Sequence, residues 1–184
     1  MSCRKCIGLT QTEHLFRFFV YNYMKLYLFG ILFFSLTLLN CQTSTNNKEP
    51  KITFKVSKKD KDWKEELSPE EYEILRNKGT ERPNTGIYNM HFEEGVYACK
   101  GCGQALFKSN NKFMSDCGWP SYESALPGAI TYIKDTSLGM VRTEIVCSNC
   151  GGHQGHVFDD GPTSTGKRYC VNSASINFIN NKNE

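Results

Sequence analysis

Near the C-terminus the chain reads RYCVNSASINF, Arg168 to Phe178, with a cysteine inside a run of strand character. Tyr169 and Val171 suit a strand, and Ile176 and Phe178 repeat the spacing of two. Cys170 can serve there as a small buried hydrophobe, a metal ligand, half of a disulfide or a nucleophile. Residues two apart on a strand share a face, so Arg168, Cys170 and Asn172 point one way and Tyr169 and Val171 the other. An arginine beside a thiol lowers its pKa and favours the thiolate. Cys117 lies in SDCGWPSY, a turn marked by Gly118 and Pro120. A flexible turn suits a thiol that must travel to meet another; burial as a small hydrophobe is the bland alternative for either cysteine. GGHQGHVFDDG places His153 and His156 three apart. Such a pair can donate hydrogen bonds and protons near neutral pH, bind a metal, or sit on a surface turn.

The chain holds nine cysteines, an odd number that does not fit a simple disulfide framework. Four fall into two CxxC pairs, Cys99 with Cys102 in CKGC and Cys147 with Cys150 in CSNC. Each pair sits on an expected tight turn, with Gly101 in the first and Gly151-Gly152 after the second. Two such knuckles can bring four thiolates to the corners of a tetrahedron about 2.3 Å from a zinc ion. Four protein ligands leave no open position, so the zinc would be structural and would tie two distant β segments together. Redox-active CxxC pairs or two disulfides are the rival readings.

The elements that must position these groups are mostly strands. LSPEEYEILRNKG predicts a short helix over 69–77: Ser68 is the N-cap, Pro69 the first helical residue, and Glu71 completes a capping box. Lys78 and Gly79 supply the stop signals. Strand-like runs follow in GVYAC, AITYI, MVRTEIVC, HVF and RYCVN, separated by Gly, Pro, Asn and Asp. The reading is a mainly β, mainly antiparallel domain over residues 61–180, with small helices at its start and a tail at 181–184. No Rossmann fingerprint or P-loop is present.

Residues 1–60 carry nine Lys/Arg and three Asp/Glu, a net of +6; residues 61–184 carry thirteen and sixteen, a net of −3. The mildly acidic domain argues against a nucleic-acid partner. Residues 26–39, LYLFGILFFSLTLL, are uncharged and follow Lys25. That length suits a signal h-region better than a membrane span. It ends at LLNC, where Cys41 sits as in a bacterial lipobox, although Asn40 departs from the usual small residue. The expected organisation is an upstream extension over 1–23 with translation starting at Met24, and a signal peptide over 24–40. A lipidated Cys41 and a flexible tether follow to residue 60, with room for one short strand at Ile52, Phe54 and Val56. The protein is then expected to be exported and membrane-anchored as a lipoprotein. An uncleaved signal anchor in the inner membrane is the alternative.

From about Trp63 to Phe178 the chain resembles the B-type methionine sulfoxide reductases along nearly their whole length. The resemblance is carried by LSPEEYEILRNKGTERPNTGIY, GVYACKGCGQALF, CGWPSY, GMVRTEIVCSNCGGHQGHVFDDGP and RYCVNSASINF. It implies two antiparallel β-sheets with a few helices and a four-cysteine zinc site. It implies reduction of the R epimer of methionine sulfoxide in proteins, with no organic cofactor. By position, Cys170 becomes the nucleophile, Cys117 the resolving cysteine, and Trp119 the wall for the substrate methyl. His153, His156 and Asn172 surround the sulfoxide oxygen, and Arg168 supports the thiolate. An imidazolium from either histidine helps the oxygen leave, and Cys170 becomes a sulfenic acid. Cys117 condenses with it, and a thioredoxin-like dithiol restores both thiols. Tyr122 replaces the commoner phenylalanine and is expected in a pocket wall. The protein is expected to act as a monomer on oxidised proteins. Two other functions fit parts of the sequence: a lipid-anchored zinc-ribbon binding protein without catalysis, and a thiol–disulfide oxidoreductase using its CxxC pairs.

Overall fold

The computed structural model describes residues 19–25, 27 and 52–181. The chain divides into two units at residues 51 and 52. In the first, residues 19–25 and 27 are helical. Cys3, Cys6, most of the apolar run, Cys41 and residues 182–184 lie outside the described residues. Among those described, no helix is long and apolar enough to cross a membrane.

The second unit opens with two short helices, α1 (Asp60–Glu66) and α2 (Pro69–Asn77). Helix α2 starts as its sequence dictates. Ser68 Oγ accepts from the Glu71 N–H at 3.3 Å, and the Glu71 carboxylate accepts from the Ser68 N–H at 2.9 Å. It ends at Asn77, as the sequence predicts, with Lys78 and not Gly79 in the left-handed conformation at φ 60°. Helix α1 is polar except for Trp63, which is buried against the first CxxC turn and capped by the cations of Lys58 and Arg76 at 4.7 and 5.0 Å. Residues 52–59 form no strand. They still pack on the domain: the Val56 N–H donates to the Asn149 carbonyl, and the Phe54 ring covers Gly151.

Among the described residues, nine strands form two antiparallel sheets. They are β1 (Gly95–Cys99), β2 (Ala105–Lys108), β3 (Lys112–Phe113), β4 (Ser121–Tyr122), β5 (Ile130–Asp135), β6 (Arg142–Cys147), β7 (His153–Phe158), β8 (Arg168–Val171) and β9 (Ile176–Asn180). The smaller sheet runs β2-β1-β9, the larger β3-β4-β8-β7-β6-β5. Alternation sorts the larger sheet cleanly. Ile145, Tyr169 and Val171 point into the shared core with Tyr97, Leu106 and Phe107, while the opposite face carries the polar residues. Tyr122 belongs to this core and not to the wall of the cleft that Cys170 lines: it is fully buried and stacked on Phe107 at 4.4 Å. That stack contributes about 1 kcal/mol beyond its buried area.

One irregularity shapes the polar face. His153 pairs with Val146 and His156 with Glu144, so three residues of β6 face four of β7. Gln154 is the extra residue of a β-bulge. Without it, histidines three apart would face opposite sides of the sheet. With it, both rings share one face and meet edge to face at 5.5 Å.

Candidate active site

Cys170 sits in the middle of β8, paired with Ser121 on one side and His156 on the other. The strand can come this close to β7 because residue 155 is glycine. Its φ is +148°, and a Cβ there would lie 2.0 Å from the Cys170 carbonyl oxygen. Cys170 forms the floor of a cleft of about 130 Å³, shared with Trp119, His156 and Asn172. Thr80, Arg142 and Phe158 complete its walls, and none of these three stood out in the sequence. His153 does not line the cleft; it is buried behind His156.

Cys117 is already in place. Its Sγ lies 3.8 Å from that of Cys170. The expected long journey on a flexible turn is unnecessary, since Gly118 at φ +91° packs on Pro83 and its carbonyl accepts from the Asn84 N–H. The two thiols share a hydrogen bond and titrate as a pair. That bond takes Cys117 down to about 4, against burial, with help from Ser115 and Ser121. The same bond, then burial, pushes Cys170 well above an ordinary thiol. Arg168 pulls Cys170 back only in part. Its guanidinium is engaged two-pronged by Asp160, at 2.9 and 2.7 Å, and lies over the Phe158 ring at 4.7 Å.

Each histidine is held by a carboxylate. His156 Nε2 lies 2.8 Å from Asp135 Oδ2, which also accepts from Arg142 at 2.7 Å. Hydrogen bonds from Ser137, then His156 and Arg142, hold Asp135 well below the usual carboxylate range. An ionised Asp135 can only accept, so His156 Nε2 carries the hydrogen and Nδ1 the lone pair. Burial lowers the pKa of His156 against the pull of Asp135, so its resting ring is neutral at neutral pH. The imidazolium expected from the sequence is therefore not this ring's resting state. His153 Nδ1 lies 2.7 Å from Glu144 Oε1, and Glu144 Oε2 accepts from Lys78 at 2.7 Å. Burial pushes Glu144 up, but those two partners outweigh it and keep its pKa low. Asp135 and Glu144 were not singled out in the sequence, and Lys78 only as a helix stop signal. The signal was there for Glu144: together with Arg142 it alternates with Thr143 and Ile145 in RTEIVC, a polar stripe opposite a core stripe.

The sulfurs of Cys99, Cys102, Cys147 and Cys150 all lie within 4.8 Å of one another. Cys99 and Cys150 are 3.7 Å apart, Cys102 and Cys147 3.6 Å. A tetrahedron with ~2.3 Å metal–sulfur bonds has edges of about 3.8 Å, so these residues fit a closed four-thiolate metal site. Asn149 and Gln154 donate to Cys102 and Cys99 at 3.4 and 3.5 Å, as sulfurs that carry negative charge require.

The SelR domain family matches residues 67–180. The chain belongs to the B-type methionine sulfoxide reductase family. It is 58% identical over 125 residues to the peptide methionine sulfoxide reductase of Agrobacterium fabrum, covering 67% of this chain and 93% of that protein. It is 53% identical over 128 residues to the Leptospira interrogans reductase, covering 69% and 98%. The Methanosarcina barkeri reductase is 53% identical over 124 residues, covering 67% and 87%. As a member of this reductase family the chain is an enzyme, a peptide methionine sulfoxide reductase.

Proposed function

We propose that the chain reduces methionine-R-sulfoxide in oxidised proteins, with Cys170 as nucleophile and Cys117 as resolving cysteine. The observation that carries this reading is Cys170 on the floor of the cleft with Cys117 Sγ 3.8 Å from its own. The substrate methyl packs on Trp119, and the oxygen lies toward His156 and Asn172. With these two substituents fixed and the peptide arm confined to the open side of the cleft, one handedness at sulfur fits.

In the first step the Cys170 sulfur bonds to the sulfoxide sulfur. The thiol proton passes by way of the His156 Nδ1 lone pair to the oxygen, and Asp135 stabilises the transient imidazolium. The sulfur–oxygen bond of the substrate breaks as the oxygen bonds to the Cys170 sulfur, the transient bond between the two sulfurs breaks with its electron pair going to the substrate sulfur, and methionine leaves with Cys170 as a sulfenic acid. Two electrons have moved from Cys170 to the substrate. In the second step the Cys117 thiolate, the form favoured by its low pKa, attacks the Cys170 sulfur. The disulfide forms and hydroxide leaves as water after taking a proton. A thioredoxin-like dithiol reduces the disulfide by exchange. Cys117→Ser should form methionine once at the normal rate and then stall with thioredoxin as reductant. Normal recycling in that variant would refute the resolving role.

The four-cysteine cluster is read as a structural zinc site. Cys41 is read as a lipid anchor that holds the reductase outside the cytoplasm, acting as a monomer. Mass spectrometry of the native protein tests both, by bound zinc and by a diacylglyceryl adduct on an N-terminal Cys41.

A further inference from the structure

One buried carboxylate has no part in the chemistry above. Glu81 lies in the irregular stretch between α2 and β1 and is 7% exposed. Its backbone and its side chain both reach the cleft walls. The Glu81 carbonyl accepts from the indole Nε1–H of Trp119 at 3.2 Å, and the Glu81 N–H donates to Asn172 Oδ1 at 3.1 Å. The carboxylate accepts from the N–H groups of Ser173 at 2.6 Å and Ala174 at 2.9 Å, the two residues that follow Asn172. Room for it depends on Gly86, where a Cβ would stand 2.6 Å from Glu81 Oε1.

These contacts decide how Asn172 can act. Its amide oxygen faces an N–H donor, so the amide cannot be the other way round. One Nδ2 hydrogen goes to the Gln154 carbonyl at 3.2 Å. A single N–H remains for a ligand in the cleft, and its direction follows from the bond between Glu81 and Asn172 Oδ1. The same residue sets the plane of the Trp119 ring. Two cleft walls that are 53 residues apart in sequence thus take their orientation from one point.

We infer that Glu81 is a positioning residue for sulfoxide reduction, fixing the Trp119 indole and the Asn172 amide through its main chain and the segment after Asn172 through its carboxylate. The inference rests on the reading that Cys170 reduces a sulfoxide in this cleft. Glu81→Gln keeps the shape but sets an amide NH₂ against a main-chain N–H, displacing the segment that carries Asn172. Trp119→Phe keeps an aromatic ring but removes its tie to the Glu81 carbonyl together with part of the wall against the substrate methyl.

The test uses the full, metal-loaded chain and a methionine-R-sulfoxide peptide in single-turnover kinetics. The rate of Cys170 alkylation without substrate is measured beside it. Glu81→Gln should slow methionine formation on the order of 10²-fold, through kcat more than KM, while alkylation stays within about twofold. Glu81→Asp, which keeps the charge, should recover part of the loss, and Trp119→Phe should slow methionine formation in the same direction. If Glu81→Gln does not fold, Trp119→Phe alone decides the tie to the wall: an unchanged rate overturns it. Methionine formation at the parent's rate in a folded Glu81→Gln overturns the assignment, as does an equal change in alkylation, which would mark general loosening. A parent that forms no methionine overturns the reading of the cleft and the assignment with it.

Discussion

Two groups of cysteines lie on either side of Gln154, and they have opposite surroundings. In the cluster of Cys99, Cys102, Cys147 and Cys150, each thiol has three others within 4.8 Å. In the pair, Cys170 has one thiol neighbour at 3.8 Å and an open cleft beside it. Gln154 touches the cluster directly, since its side chain donates to Cys99, and reaches the other group only by way of Asn172, whose N–H donates to its carbonyl. On the proposed reading the same side chain serves as anchor or as nucleophile according to how many thiols surround it and whether a second molecule can reach it. A closed shell of four leaves no place for substrate, whereas a pair with one exposed side can be oxidised and restored.

The largest effect should come from breaking the closed group. Removing the metal with a chelator, or Cys147→Ser, should unfold the domain, since closed four-ligand sites contribute on the order of 10 kcal/mol to folding. Thermal unfolding by circular dichroism would show it. Cys170→Ser should change stability by less than about 0.5 kcal/mol while abolishing turnover, and that contrast is the sharpest form of the comparison. Next comes Gly155→Ala. Its Cβ would strike the Cys170 carbonyl, so we expect a loss of about 3 kcal/mol in denaturant unfolding together with a fall in activity.

Glu144→Gln should cost about 2 kcal/mol at pH 7, because it removes the charge that two hydrogen bonds support in a buried place. The pH dependence has a definite sign. The folded pKa of Glu144 lies below its ordinary 4.5. Its contribution is therefore complete above 4.5 and is lost as pH falls through the lower folded value. The gap between parent and variant should narrow toward acid pH. The smallest effects concern the thiol pair. Cys117→Ser removes the main upward push on Cys170, so Cys170 should alkylate at lower pH. Arg168→Met should shift it the other way, and by less. Equal and opposite shifts would mean that Arg168 weighs as much as Cys117.

Much of this was legible in the sequence. The capping box fixed the start of α2, the paired CxxC turns gave the cluster, and strand parity put Cys170 opposite Tyr169 and Val171. What escaped had physical reasons. Helix α1 has one apolar residue, so periodicity could not mark it. Strands β3 and β4 have two residues each, too short for any alternation. The bulge at Gln154 cannot be read from spacing, so the common face of His153 and His156 could not be derived. Asp135 and Glu81 reach the site across other strands or through an irregular segment, and only the fold brings them there. The balance between Arg168 and Cys117 required a distance, which composition does not supply.

The most direct test of the central claim uses residues 42–184 with separated R and S epimers of a methionine sulfoxide peptide, dithiothreitol as reductant, and a Cys170→Ser control. Reduction of the R epimer alone, lost in the control, is the predicted result. No reduction by a folded, zinc-loaded sample, or reduction that survives Cys170→Ser, would contradict it.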